Sequence, residues 1–408
     1  MWPLNAKQIY EIVTGNPCPN AHFEKLILQG ISQDSRKIKP NQMFVAVKGD
    51  KYDGHNYLKQ CFQNKVQLAL VHVHSPVLNE LTKEEKESCI CVENVTDALR
   101  KLAKYMRQKF PFPVIGIGGS NGKTTTKEIL YSMLLGRNNI VTKTDKSENG
   151  YLGLALTLLQ ESHNVENPPS ALVLEIGIDE VGAMQKHLDV GKPDIVLLTA
   201  LGPEHLTGLN NWDTAIKEEF ILFSSPQSKK IWQLFDPKIR DFYVESVSND
   251  YAVIEKNESV DYKKNNRIIW SILAEKEASM ELLVELYSHN KLMSYHFNLP
   301  LLGKHNAANF ALAFATALCV GMTPEEIEVG FKKFIPPPMR SNLVTLPNGA
   351  VLYDDTYNAS PLSMEVALHI LEKPLFVDKP KLVVLGDMLE LGTESNYWHE
   401  YLVPTLKK

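Results

Sequence analysis

The sequence predicts an α/β protein built around a doubly wound parallel sheet, and three observations carry that expectation. Three short, continuously apolar runs, "PVIGIG", "ALVLEIGI" and "DIVLLTAL", are separated by helical stretches, the pattern of strands buried on both faces. The first run leads directly into a glycine-rich turn and then a helix. Proline clusters, "FPFP" at 110–113 and "IPPPM" at 335–339, break the chain, because each proline restricts the residue before it as well as its own backbone. The expected domains are therefore 1–110, 111–335 and 336–408.

In the first segment, "NAKQIYEIVTG" has the spacing of an amphipathic helix stopped by Gly15, and "QMFVAVKG" and "QLALVHVH" read as strands. "NVTDALRKLAKYMRQKF" is a second helix, running into Pro111. The stretch 229–300 mixes Tyr, Val and charged residues without a helical period and is expected to be partly antiparallel. "NAANFALAFATALCVG" reads as a buried helix, and "TPEEIEVGFKKF" as another, with Thr323 as N-cap, Pro324 first in the helix and Glu326 closing a capping box. After the second proline cluster, "AVLYDD" and "KLVVLGDM" are expected to be strands of a third α/β unit.

The composition, 408 residues with 44% hydrophobic and 22% charged, is that of a folded globular chain with several cores. A net charge of -5 argues against a nucleic-acid surface, which needs clustered excess Lys and Arg. The five cysteines, Cys18, Cys61, Cys89, Cys91 and Cys319, form no metal-spaced pairs, and Cys89 and Cys91 fall in an apolar run that reads as a strand. Buried, reduced thiols are expected. No run of about 18 apolar residues exists and the amino end lacks a signal-peptide pattern, so a cytoplasmic protein without membrane insertion is expected.

The turn itself reads Gly119-Ser120-Asn121-Gly122-Lys123-Thr124-Thr125. The phosphate-loop pattern G-x-x-x-x-G-K-[ST] requires a glycine where Ile117 stands, so the strict pattern fails. The order strand, glycine turn, helix nevertheless suits an anion, with Lys123 supplying charge for the outer phosphates of a nucleotide and Thr124 a hydroxyl for magnesium. The plainer alternative is an ordinary glycine turn with an exposed lysine. Glu175, ending "ALVLE", sits where ligands of open parallel sheets bind, though it could equally be a solvated strand end.

"GSNGKTTT" resembles the shorter loop of the Mur ligases and their folylpolyglutamate synthetase relatives. The similarity extends from the first helix to the last residues through "DSRKIKPNQMFVAVKGDKYDGHNY", "PEHL" followed by "AIKEEF", "LLGKHNAAN", "DDTYNASPLSM" and "VVLGDMLELG". The last two stretches resemble the branch of the family that adds a dipeptide. The resemblance implies a three-domain Mur ligase architecture, with a central P-loop-type parallel sheet and a Rossmann-like C-terminal domain that is shortened here. It implies an ATP- and Mg2+-dependent ligase, a monomer, that activates the carboxylate of UDP-N-acetylmuramoyl-tripeptide as an acyl phosphate and couples it to D-alanyl-D-alanine. A sibling amino-acid ligase and a catalytically impaired nucleotide-binding remnant are the alternatives.

By the same resemblance, Thr124 and Glu175 hold one magnesium ion, His205 of "PEHL" reaches a second, and Lys217 is the lysine that becomes a carbamate ligand of it. Without the family, Lys217 is one helix lysine, with Ile216, Phe220 and Phe223 expected on the buried face. His305, Asn306 and Asn309 match the segment meeting base and ribose, Arg340 the arginine at the terminal phosphate, and Asp355 the ribose carboxylate. Capping is the plainer reading of the His305, Asn306 and Asn309 trio. Ser35 and Arg36 match the uridine-nucleotide grip, and Asn149 the loop facing the muramoyl peptide. The chain departs from the family pattern at Asn149-Gly150, Ala155 and "IGIDEVGAM".

Overall fold

The computed structural model describes residues 4–49, 52–137, 139–145, 149–160, 167–242, 250–256, 266–288, 291–377 and 379–407. The chain divides into two compact units, one of Met1–Phe112, Glu148–Leu172 and Asp189–Lys192, the other of Pro113–Ser147, Val173–Leu188 and Pro193–Lys408.

The first unit is a four-stranded parallel sheet in the order of the chain, β1 (Ile31–Ser32), β2 (Met43–Val45), β3 (Leu68–His72) and β4 (Cys89–Val92). Phe44, Leu58, Val66, Ala69 and Val71 pack its core. The helices expected from "NAKQIYEIVTG" and "NVTDALRKLAKYMRQKF" form as Ala6–Thr14, ended by Gly15 at φ 74°, and Val95–Arg107, capped by Asn94. Of the five thiols only Cys61 is buried and Cys91 is exposed, which corrects the expectation of uniform burial: β4 is an edge strand with an open face.

The second unit is organised by one nine-stranded sheet. Its strands are β5 (Val114–Gly118), β6 (Val141–Lys143), β7 (Ala171–Glu175), β8 (Ile195–Leu198), β9 (Lys229–Gln233), β10 (Tyr251–Glu255), β11 (Arg267–Glu275), β12 (Met280–Ser288) and β13 (Lys291–Leu299). Their spatial order is β13-β12-β11-β10-β9-β8-β5-β7-β6. The three apolar runs are β5, β7 and β8, and every residue of each is buried. β8 to β11 run parallel, whereas β11, β12 and β13 form an antiparallel meander, the mixture expected of 229–300. Register fixes the site: Gly118 pairs with Leu198, and the Ile176 amide donates to the Ile117 carbonyl at 2.9 Å, so β5, β7 and β8 release their chains at one edge.

The helices Lys123–Leu134 and Lys304–Cys319 pack together, and the helix Pro324–Phe331 closes over the first of them with the expected Thr323–Glu326 capping box. Beyond the second proline cluster, β14 (Asn342–Thr345) and β15 (Val351–Asp354) pair antiparallel with each other, and the helix Pro361–Ile370 follows. "KLVVLGDM" forms no strand. Leu382 is 91% exposed and Val384 85%, because among the described residues no neighbouring strand accepts their backbone. Among the described residues no helix is long and apolar enough to cross a membrane.

Candidate active site

The loop Gly119–Gly122 leaves β5 with its first amides already committed to protein acceptors. The Gly119 N–H donates to Glu219 Oε2 at 2.8 Å, and the Ser120 and Asn121 N–H groups donate to the Ala200 carbonyl at 2.9 and 3.1 Å. Gly119 adopts φ 109°, and a Cβ there would meet the Thr199 backbone nitrogen at 2.9 Å. Gly122, at φ 92°, has Asn309 Oδ1 2.6 Å from where its Cβ would be. Both positions therefore admit only glycine. The helix starting at Lys123 then begins beside the loop, with its N-terminal end toward it.

Lys123 is drawn back over its own loop. Its ammonium donates to the Gly119 and Ser120 carbonyls, at 2.5 and 2.9 Å, and pairs with Glu204 at 3.3 Å. Burial would lower its pKa, but Glu204, Glu219 and Glu175 outweigh that and hold it above the ordinary lysine value. Thr124 Oγ1 donates to both Glu175 oxygens at 3.0 Å, and Glu175 Oε2 is also paired with the buried Lys127 at 3.1 Å. The Thr144 hydroxyl accepts from the Glu175 N–H at 3.0 Å, fixing the strand end. Hydroxyl and carboxylate oxygens thus meet beside an anion loop, a donor set that fits magnesium, which takes one or two protein oxygens and completes its shell from water and phosphate.

The other expected metal residues are not joined to that pair. His205, left-handed at φ 52°, directs Nδ1 to the carboxylate of Glu390, and the Thr207 N–H donates to the Glu390 carbonyl at 3.0 Å. Lys217 is exposed, and among the described residues no hydrogen bond or ion pair ties it to Thr124, Glu175 or His205. The buried face of its helix, Trp212–Phe220, is Ala215, Glu218 and Glu219 rather than Ile216 and Phe220, a correction to the expected apolar stripe. Phe223, in the next turn, is buried as expected. Both acids find backbone donors, the Met184 N–H at 2.9 Å for Glu218 and the Gly119 N–H for Glu219. Burial raises the Glu219 carboxyl to about 7 against the pull of Lys123.

Beside the loop lies a cavity of about 620 Å³ lined by Asn121, Gly122, Thr125, His305, Asn306, Asn309, Arg340 and Asp355, every one expected at a nucleotide. Phe235 and Trp270 supply an apolar side, with the Gln233 amide beside them. The capping alternative for the trio does not describe it: the N-cap is Gly303, and Asn306 instead donates its side-chain amide to the Leu302 carbonyl at 2.8 Å. Burial, with Lys373 nearby, lowers the pKa of His305 to about 4, leaving a neutral ring. The Arg340 guanidinium lies over the Tyr357 ring at 4.0 Å. Asp355 accepts the Ser341 N–H at 2.8 Å, and burial raises its carboxyl pKa. Ser360, the N-cap of Pro361–Ile370, donates to Asn121 Oδ1 at 3.1 Å.

Ser35, Arg36 and Asn149 belong to the first unit. Ser35 and Arg36 lie in a turn after β1, where Arg36 forks onto Asp34 at 2.9 and 3.0 Å and holds that carboxyl at about 2. Asn149 is half-buried two residues before the helix Tyr151–Leu158. The sequence reading missed Glu204, Glu219, Lys127 and Ser360. Glu204 and Glu219 lie in "PEHL" and "AIKEEF", Lys127 directly after "GSNGKTTT" and Ser360 in "DDTYNASPLSM", but no local pattern in those stretches marks the two acids as turned inward.

Two family models match the chain, Mur ligase middle domain over residues 117–317 and Mur ligase family, catalytic domain over 28–107. The UDP-N-acetylmuramoyl-tripeptide–D-alanyl-D-alanine ligase of Bacillus subtilis is 29% identical over 404 residues, which span 97% of this chain and 80% of the relative. The Escherichia coli enzyme of the same name is 27% identical over 389 residues, 92% of this chain and 78% of its own. Among solved structures, MurF from Acinetobacter baumannii superposes with a TM-score of 0.79 at 25% identity, covering 99% of this chain and 83% of that one. MurF from Thermotoga maritima in complex with ADP gives 0.71 at 25% identity, covering 92% and 82%. With both Mur models matched in sequence order and the fold shared along nearly its whole length, the chain belongs to the Mur ligase family.

Proposed function

We propose that the chain is an ATP-dependent amide ligase joining D-alanyl-D-alanine to UDP-N-acetylmuramoyl-tripeptide, a step of peptidoglycan precursor synthesis. The terminal phosphate of ATP passes to the peptide carboxylate and ADP leaves. The amine of the dipeptide then attacks the acyl carbon, losing a proton and expelling phosphate. The observation that carries this reading is a cavity in which Asn121, Gly122 and Thr125 of the loop stand together with His305, Asn306, Asn309, Arg340 and Asp355.

In this reading Lys123 leaves Glu204 for the outer phosphates, and Thr124 and Glu175 hold magnesium, which would screen the phosphate charge. His205 and Lys217, the latter as a carbamate, would hold a second ion that adds to the screening of the phosphate charge. Arg340 turns from Tyr357 to the terminal phosphate. Ser35 and Arg36 bind the uridine nucleotide, and Asn149 faces the muramoyl peptide. The division 1–110, 111–335 and 336–408 then separates the uridine-nucleotide, ATP and incoming-amine functions, in a cytoplasmic monomer. Phosphate release from ATP that requires both the UDP-tripeptide and D-alanyl-D-alanine, with the amide product identified by mass spectrometry, tests the assignment. Release that requires neither substrate, or another amine preferred over the dipeptide, overturns it.

A further inference from the structure

We propose that Glu219 is a positioning residue for the phosphate loop, acting through the Gly119 amide to decide which backbone N–H groups of the loop face the nucleotide. The proposal rests on the nucleotide reading of that loop. A carboxylate buried behind a site for a polyanion opposes the ligand's charge, so its presence there calls for a compensating task. Glu219 is 3% exposed and its Oε2 accepts the Gly119 N–H at 2.8 Å. It lies so close to the strand end that a Cβ on Gly118 would stand 3.0 Å from the same oxygen.

Gly119 is held at both of its polar groups, its N–H by Glu219 and its carbonyl by Lys123. With Ser120 and Asn121 both donating to the Ala200 carbonyl, three consecutive amides are turned into the protein. The next two amides, of Gly122 and Lys123, are those left for phosphate. Deprived of its acceptor, the Gly119 N–H would be buried and unsatisfied, and the loop would turn to find another partner, carrying Lys123 with it.

The roles of hydrogen bond and charge separate in two variants. E219Q keeps an acceptor at the same reach without the charge, whereas E219D keeps the charge but withdraws it by one methylene. The expected result is ADP affinity and KM for ATP weakened about tenfold in E219D, with kcat at saturating ATP changed far less, and both restored to within about threefold of wild type in E219Q. Binding of the UDP substrate should be unchanged in both. E219D binding ADP like wild type, or E219Q weakened as much as E219D, overturns the role of Glu219 alone. Wild-type protein that binds no ADP overturns the nucleotide reading and this proposal with it.

Discussion

Lys127 and Glu175 form an ion pair of 3.1 Å with both side chains sealed from solvent. Lys127 follows Thr124 by three residues, so ammonium and hydroxyl descend from one helix face onto one carboxylate, and the ammonium also donates to the Thr144 carbonyl at 3.0 Å. Removing the cation would strand a buried carboxylate. K127M is therefore expected to destabilise the second unit by about 3–5 kcal/mol, and K127M/E175Q to recover part of the loss. Urea unfolding of the two variants checks this, and a K127M midpoint equal to wild type would show that the pair does not hold Glu175.

His305 makes a pH prediction of definite sign. Its folded pKa, about 4, lies below the ordinary value of 6.5, so between those limits the unfolded chain binds the extra proton. Stability contributed by the neutral ring is complete above pH 6.5 and is lost as pH falls toward 4. His305→Gln should flatten the melting temperature across that window while wild type declines, as thermal scans at stepped pH will register.

The sheet was legible because parallel strands buried on both faces must be apolar throughout, and β5, β7 and β8 are. The loop was legible from its glycines, and the cavity residues from the family resemblance. What could not be read is the buried charge. Glu219 meets Gly119 across 100 positions and Glu204 meets Lys123 across 81, so nothing local marks Glu219 as buried or Glu204 as turned toward the loop. Hydrophobic periodicity assigns such residues to solvent and placed the wrong face of Trp212–Phe220 inside. The opposite happens at 381–388, where the apolar residues of "KLVVLGDM" suggest a strand but none of the described strands pairs with it. Apolar composition permits a strand and only a neighbour makes one.

Ser360 joins the helix Pro361–Ile370 to the phosphate loop. It caps Pro361–Ile370 in a reciprocal box with Ser363 and donates to Asn121 Oδ1 at 3.1 Å, while the Asn121 amide nitrogen is buried without a partner. S360A should cost about 1 kcal/mol of stability as a lost N-cap and also raise KM for ATP, because Asn121 loses its tether. S360T, which retains a hydroxyl, should restore both. Calorimetric melting read alongside ATP saturation separates the two effects, and an unchanged KM in S360A would confine Ser360 to capping.

Lys123 and Lys217 are each expected to be indispensable, for opposite reasons. Lys123 contributes a cation beside the loop, so Lys123→Ala should abolish ligation, and no added carboxylate can replace a missing positive charge. Lys217 is exposed on its helix and, as a carbamate, would contribute an anion to the second metal position. Lys217→Ala should likewise abolish ligation, but short carboxylic acids such as acetate or formate can supply the missing oxygens and should partly restore turnover. Product formation measured with and without added acid distinguishes the two lysines. Activity of Lys217→Ala equal to wild type without any additive removes that residue from the reaction, and rescue of Lys123→Ala by the same acids would mean that the loop lysine is not acting as a charge on phosphate.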